Sequence, residues 1–217
     1  MYQRYAGGRV KASGLAAFIA LSSVFPPAGV AALPLASPAA VKLEVTFPTA
    51  KDGNNWIASN TEMRAVYPVA LEAVRAVLED YPSAPKFFPR LVSIQVGEAP
   101  DGNVVLTQRY EISVIGIKYP TVSTIKMVGD VSGLPRLYRL NWSFVSSDGS
   151  MAESKGFWEL SDASEGGEDR VSIRHVSSTL VRKDFPAQVL VMKSFTEKEL
   201  ATTLNSVAEE AKKRARS

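Results

Sequence analysis

The sequence of 217 residues contains no cysteine and a single histidine, His175. Without thiols there can be no disulfide, no thiolate nucleophile and no thiolate metal site. One imidazole is too few for a histidine-ligated metal centre, and no carboxylate spacing marks a transition-metal site in its place. The phosphate-binding glycine patterns are missing as well: there is no G-x-G-x-x-G and no P-loop, and "GGED" at 166–169 reads as a turn. No G-x-S-x-G elbow accompanies His175, so the usual sequence sign of a serine hydrolase is lacking. Neither a cofactor nor a metal is expected.

Acidic residues are absent from positions 1–40, where Arg4, Arg9 and Lys11 stand ahead of the apolar run "LAAFIALSSVF" (15–25). A proline-containing stretch of small residues, "PPAGVAALPLASPAA", follows it. A basic start, a short apolar stretch and a small-residue exit make a cleavable export signal, with cleavage after Ala32 or Ala39. The apolar run falls short of the roughly 20 residues a membrane span needs. Export, to the periplasm, is therefore expected, with no stable membrane span after cleavage; an uncleaved anchor or a disordered tail is the alternative use of such a segment. The formal charge of +3 rests on the three leader cations: removing them from 25 basic residues leaves 22, against 22 acidic ones. A neutral mature chain gives no reason to expect nucleic acid or an anionic membrane as partner.

Residues 41–58 read as a lead-in with a strand at Lys42–Phe47, and "NTEMRAVY" (60–67) as a short strand. "PVALEAVRAVLED" (68–80) carries apolar residues at helical spacing, with Pro68 suited to a first turn. Then comes "EDYPSAPKFFPRL" (79–91), with three prolines, Tyr81, Phe87 and Phe88. Prolines end helices, but connecting loops are usually polar, so the rings call for a buried partner. From 90 to 186 strands alternate with turns at 99–103, 132–135, 147–150 and 163–169, and a further break is expected near 116–120. That rhythm predicts an antiparallel meander. Beyond Pro186 a helix is expected to the end. Leu200, Leu204, Val207 and Ala211 form its apolar stripe, extended forward by Met192 and Phe195.

In this order of elements the chain resembles the START-like (SRPBCC) superfamily, in its polyketide cyclase/dehydrase and coenzyme Q-binding branch. The segments carrying the resemblance are "ALEAVRAVLEDYPSAPKFFPRLVSIQV", "SKGFWEL" and "RVSIRHVSSTLVRKDFPAQVL", within residues 60–213. The resemblance implies an α+β helix-grip fold over 59–217, a curved antiparallel sheet of about six to seven strands wrapped around a long C-terminal helix. It also implies a hydrophobic ligand: a lipid, an isoprenoid or a polyketide-like compound.

One helix about 10 Å wide cannot fill a broad curved sheet, so the remaining space is either packed by side chains or left as a cavity. Tyr81, Phe87 and Phe88 are expected to close one end of it. Gln108, Tyr110, Tyr138, Trp142 and Trp158 are expected on its wall, together with Met192 and Phe195 from the helix. Many apolar surfaces with one or two polar tips suit a hydrophobic ligand, although a solid core has the same profile. His175 shares strand parity with Val171 and Ile173, so it faces the concavity as a ligand contact or proton-transfer group, or else is satisfied by a neighbour at the sheet edge. Arg136, Arg139, Arg174 and Arg182 read as the solvent face, with Glu111, Glu153 and Glu159 as cross-strand partners. Three functions remain open: a carrier, a cyclase/dehydratase-type enzyme using the same cavity, and an interaction module with a filled core.

Overall fold

The computed structural model describes the backbone at residues 39–46, 56–114, 117–183 and 188–217, and side chains at 56–111, 118–183 and 199–217. Met192 and Phe195 thus lie outside the described side chains, and of the expected leader 1–40 residues 1–38 lie outside the described residues while Ala39 and Ala40 begin a strand. All the described residues fall in one compact unit, residues 34–217.

A curved antiparallel sheet forms the body of that unit. Its strands are β1 (Ala39–Thr46), β2 (Trp56–Tyr67), β3 (Leu91–Glu98), β4 (Val104–Val114), β5 (Ile117–Asp130), β6 (Leu137–Ser147), β7 (Met151–Asp162) and β8 (Val171–Arg182). In space they run β1-β2-β8-β7-β6-β5-β4-β3. From β3 to β8 each strand pairs with its chain neighbour, while β2 pairs with the last strand, so β8 lies in the interior of the sheet. The lead-in supplies one strand more than the six to seven expected. The strand expected at 60–67 reaches back to Trp56, because each residue from Trp56 to Tyr67 finds a register partner on β8. Gly102 and Gly149 take positive φ (77° and 90°) in the β3–β4 and β6–β7 turns, a region that favours glycine. Pro120, expected at the break, lies inside β5. It pairs with Glu111 on one side, and β6 begins pairing only at Ser123, so the missing N–H costs no ladder bond there.

Helix α1 (Leu71–Glu79) starts three residues beyond Pro68, because the Val69 N–H donates to the Tyr67 carbonyl in a turn (3.0 Å). A 3-10 turn, Tyr81–Lys86, follows, and the long helix α2 (Gln188–Ala215) closes the fold. Leu204, Val207, Ala208 and Ala211 of α2 are fully buried. They join Val74 and Val77 of α1 and Tyr67, Val171 and Ile173 of the sheet in one core. The sheet is therefore covered by two helices, not by α2 alone. Beneath α1 these side chains pack against one another. Arg214 near the end of α2 pairs with Asp80 just after α1 (2.8 Å), fastening the helices together. Burial pulls the Asp80 carboxyl up, but the Ser83 hydrogen bond and Arg214 outweigh it and hold the group below the usual range.

The Tyr67 hydroxyl donates to Asn205 Oδ1 (2.7 Å) and ties α2 to β2 in the core, and burial pushes that phenol up to about 12. Tyr67→Phe is expected to lose about 1 kcal/mol of stability, read as a shift in the urea midpoint at unchanged slope.

Candidate functional site

The interior opens into a cavity of about 450 Å³ bounded by the sheet, Leu78 near the end of α1, the loop after it and α2. Strand alternation builds its wall, since every second residue faces the concave side. Leu106 on β4, Ile125 and Met127 on β5, Leu140 on β6 and Trp158 on β7 supply apolar surface. Leu200 and Thr203 of α2 form part of the cover.

The loop at 79–91 does close one end. Tyr81 and Phe88 line the cavity, and the Phe88 ring meets Trp158 edge-on at 6.1 Å between centroids. Phe87 corrects the expectation: it is not on the cavity wall but packs behind Phe88 (5.3 Å) against the core. At the rim, Arg90 and Glu199 form an ion pair between this loop and α2, and burial raises the Glu199 carboxyl although Arg90 opposes it.

Gln108, Tyr110, Trp142, Trp158 and His175 all line the cavity. Burial pushes the Tyr110 phenol up to about 12. Tyr138 is a second correction. It has the expected parity but is fully buried beneath α1, where its hydroxyl donates to Glu79 Oε1 (2.8 Å) and the Arg75 guanidinium lies 5.1 Å from its ring centroid. Tyr138 instead borders a separate, smaller hollow beside Gly129 and Tyr81. The second helix covers Tyr138 and keeps it off the wall of the larger cavity.

His175 is held between two indoles. Trp142 stacks on it at 5.4 Å and Trp158 meets it edge-on at 4.5 Å. The sheet-edge alternative fails, because β8 lies between β2 and β7. The imidazole is 8% exposed, and its Nδ1 is buried without a hydrogen bond to any described residue. Burial drives its pKa down to about 4, so the ring is neutral at neutral pH. Trp142 is fixed in turn by its Nε1–H, which donates to Ser154 Oγ (3.2 Å), and by Gly156, its register partner on β7.

Sequence reasoning missed a polar lane. Beyond His175 the same parity of β8 brings Ser177 and Thr179 to the wall, beside Ser154 and Ser150. Ser59 and Thr61, their register neighbours on β2, are also buried. Continuing the alternation through "HVSST" would have found this lane. Ser150 Oγ is the other buried polar side-chain atom with no hydrogen bond to a described residue. Arg182, expected on the solvent face, also lines the cavity, at the far end of β8. Arg139 and Arg174 do lie on the outer face with Glu159 and Glu62; Arg174 Nε donates to Glu62 (2.9 Å) and Arg139 Nε to Glu159 (3.1 Å). Among the described residues no three acids or histidines are placed to hold a metal, and no helix is long and apolar enough to cross a membrane.

A curved antiparallel sheet gripping a C-terminal helix over a cavity is the START-like helix-grip fold. Solved structures agree. The aromatase/cyclase Zhui from Streptomyces sp. R1128 superposes with a TM-score of 0.56 at 15% identity, over 74% of this chain and 97% of its own. A STAR-related lipid transfer protein from Xanthomonas axonopodis gives 0.56 at 11% identity, over 77% of this chain and 98% of its own. No protein-family model and no curated protein matches the sequence. At these identities the likeness is one of fold.

Proposed function

We propose that the protein is an exported carrier that sequesters a hydrophobic small molecule, a lipid, an isoprenoid or a polyketide-like compound, between the sheet and α2. The observation that carries this reading is the cavity. Its 450 Å³ lies within the range of small-molecule sites, and its wall combines many apolar side chains with a few polar groups. Moving ~200 Å² of apolar ligand surface out of water would contribute about 5 kcal/mol at roughly 25 cal/mol per Å². The names of the two superposed proteins, an aromatase/cyclase and a lipid transfer protein, are in keeping with such a ligand. An interaction module with a filled core is disfavoured by the same hollow.

A cyclase/dehydratase would use the same space, with His175 or a tyrosine moving protons; of the tyrosines on the wall, burial pushes Tyr110 up to about 12. General bases work best with a pKa near the working pH, and an imidazole lowered to about 4 is a weak base held in neutral form. That favours binding over turnover. Export rests on the leader. β1 begins at Ala39, so cleavage after Ala32 leaves the strand whole, whereas cleavage after Ala39 removes its first residue.

Native mass spectrometry of the protein from its own periplasm, followed by organic extraction, tests the whole reading. A discrete extractable mass on a chain starting at Leu33 is expected. A clean apo mass with no uptake from a lipid panel overturns the carrier, and recovery of the uncleaved chain from the cytoplasm overturns export. Thr179→Phe tests the location of the site. Its register neighbours, Ser154 and Ser59, are small, so the ring should enter the cavity with the fold retained. Uptake of the extracted compound should fall at least about tenfold, a loss of ~1.4 kcal/mol, by titration calorimetry.

A further inference from the structure

On the reading that the cavity holds a hydrophobic guest, we propose that this guest is a single-headed amphiphile. Its hydroxyl-bearing end lies at the rim beside Gln108, Tyr110, Thr121 and Ser123, and its hydrocarbon end lies inside against Met127, Leu140 and Trp158.

The wall changes character along its length. On the inward parity β4 reads Leu106, Gln108, Tyr110, while β5 reads Thr121, Ser123, Ile125, Met127, and all of these line the cavity. The register pairs Leu106 with Ile125, Gln108 with Ser123 and Tyr110 with Thr121. Polarity therefore switches at the same row on both strands. The polar end is also the rim: the Glu111 N–H donates to the Arg90 carbonyl (3.0 Å), which sets the Arg90–Glu199 pair beside Tyr110. Past the switch, Leu140 and Trp158 are register partners on β6 and β7, and Leu78 of α1 stands on the wall with them. His175, 8% exposed between two indoles, adds little polar surface there, and Tyr81 also borders the smaller hollow.

A hydroxyl that enters the rim end exchanges its hydration for amide and hydroxyl partners, whereas one carried past Ile125 loses hydration with little in return. A hydrocarbon chain gains in the opposite sense. Met127 lies six residues beyond Thr121 on β5, roughly 20 Å at about 3.3 Å per residue, so the wall can sort the two ends of one molecule. Ser177 and Thr179 bring hydroxyls to one side of the middle, and Leu106 and Ile125 supply apolar surface on the other. At the rim Arg90 and Glu199 compensate each other, and Arg182 is not free, so the head is uncharged.

The probes are 1,2-decanediol and 1,10-decanediol, which share one formula and differ in where the second hydroxyl sits. The 1,2-isomer is expected to bind at least about tenfold more tightly by titration calorimetry, because the 1,10-isomer must bring a hydroxyl to the apolar end. In isotope-filtered NOE spectra of 13C-labelled protein, the terminal methyl of the 1,2-isomer should contact Met127 and Trp158, and its carbinol protons Thr121. Gln108→Leu combined with Ser123→Ala should reduce the preference to about threefold or less. Should that double variant fail to fold, the NOE pattern in the unmodified protein decides alone. Equal affinities, a preference that survives the double variant, or a terminal methyl found at Thr121 overturns the single-headed guest and leaves the carrier intact. Binding of neither diol overturns both.

Discussion

Gly156→Val is expected to cost about 3 kcal/mol or more, enough to remove most of the stability of a typical domain. Gly156 lies in the middle of β7, opposite Trp142 on β6 and Ser177 on β8. A Cβ placed there would fall well inside contact distance of the Val176 carbonyl oxygen and of the Trp142 ring. The indole has turned across the glycine and uses the space that any other residue would need. The carbonyl cannot retreat without breaking the β7–β8 pairing, so the strain is not relieved by a rotamer change. Urea unfolding should show the midpoint falling sharply. Gly156→Ala should show the same effect at smaller size, with Trp142 fluorescence altered because its ring is displaced toward the cavity. An unchanged midpoint for both variants would mean that Trp142 does not lie over β7.

Stability should also fall as pH drops from about 6.5 to about 4, by ~3 kcal/mol in total, because of His175 alone. The sign follows from proton counting. In the unfolded chain the imidazole binds its proton near pH 6.5, whereas in the fold burial holds it neutral down to about 4. Between those values the unfolded state binds more protons, so acid favours unfolding, with a slope of up to about 1.4 kcal/mol per pH unit. Above 6.5 the contribution is fully present. Glu199, whose carboxyl is raised chiefly by burial, acts in the opposite direction over its own range, so the comparison with His175→Gln isolates the imidazole. Urea titrations at intervals from pH 7 to 5 should give a falling line for the natural protein and a flatter one for the variant. Parallel lines would mean that the imidazole is hydrated in the folded state.

Much of the fold was legible because hydrophobic period and turn chemistry are local. The alternation at Val171, Ile173 and His175 places all three on the buried face of β8, and of the three rings expected to close one end Tyr81 and Phe88 line the cavity while Phe87 does not. The site was legible only in part. Parity put Tyr138 on the concave side, which is right, but parity does not say what lies above a residue. Ser177 and Thr179 share the parity of His175, so the alternation alone turns them inward, but nothing local says that the space they face is hollow.

By itself the sequence determined which elements form, in what order, and which face of each strand turns inward, because backbone sterics and side-chain period act over a few residues. Only the tertiary structure decided which inward side chains pack against one another and which face a hollow. That division depends on α1 covering Tyr138 while α2 and the aromatic loop roof the larger cavity. It brings Trp142, Gly156, Trp158 and His175 together across three strands, a contact between surfaces that no local pattern encodes.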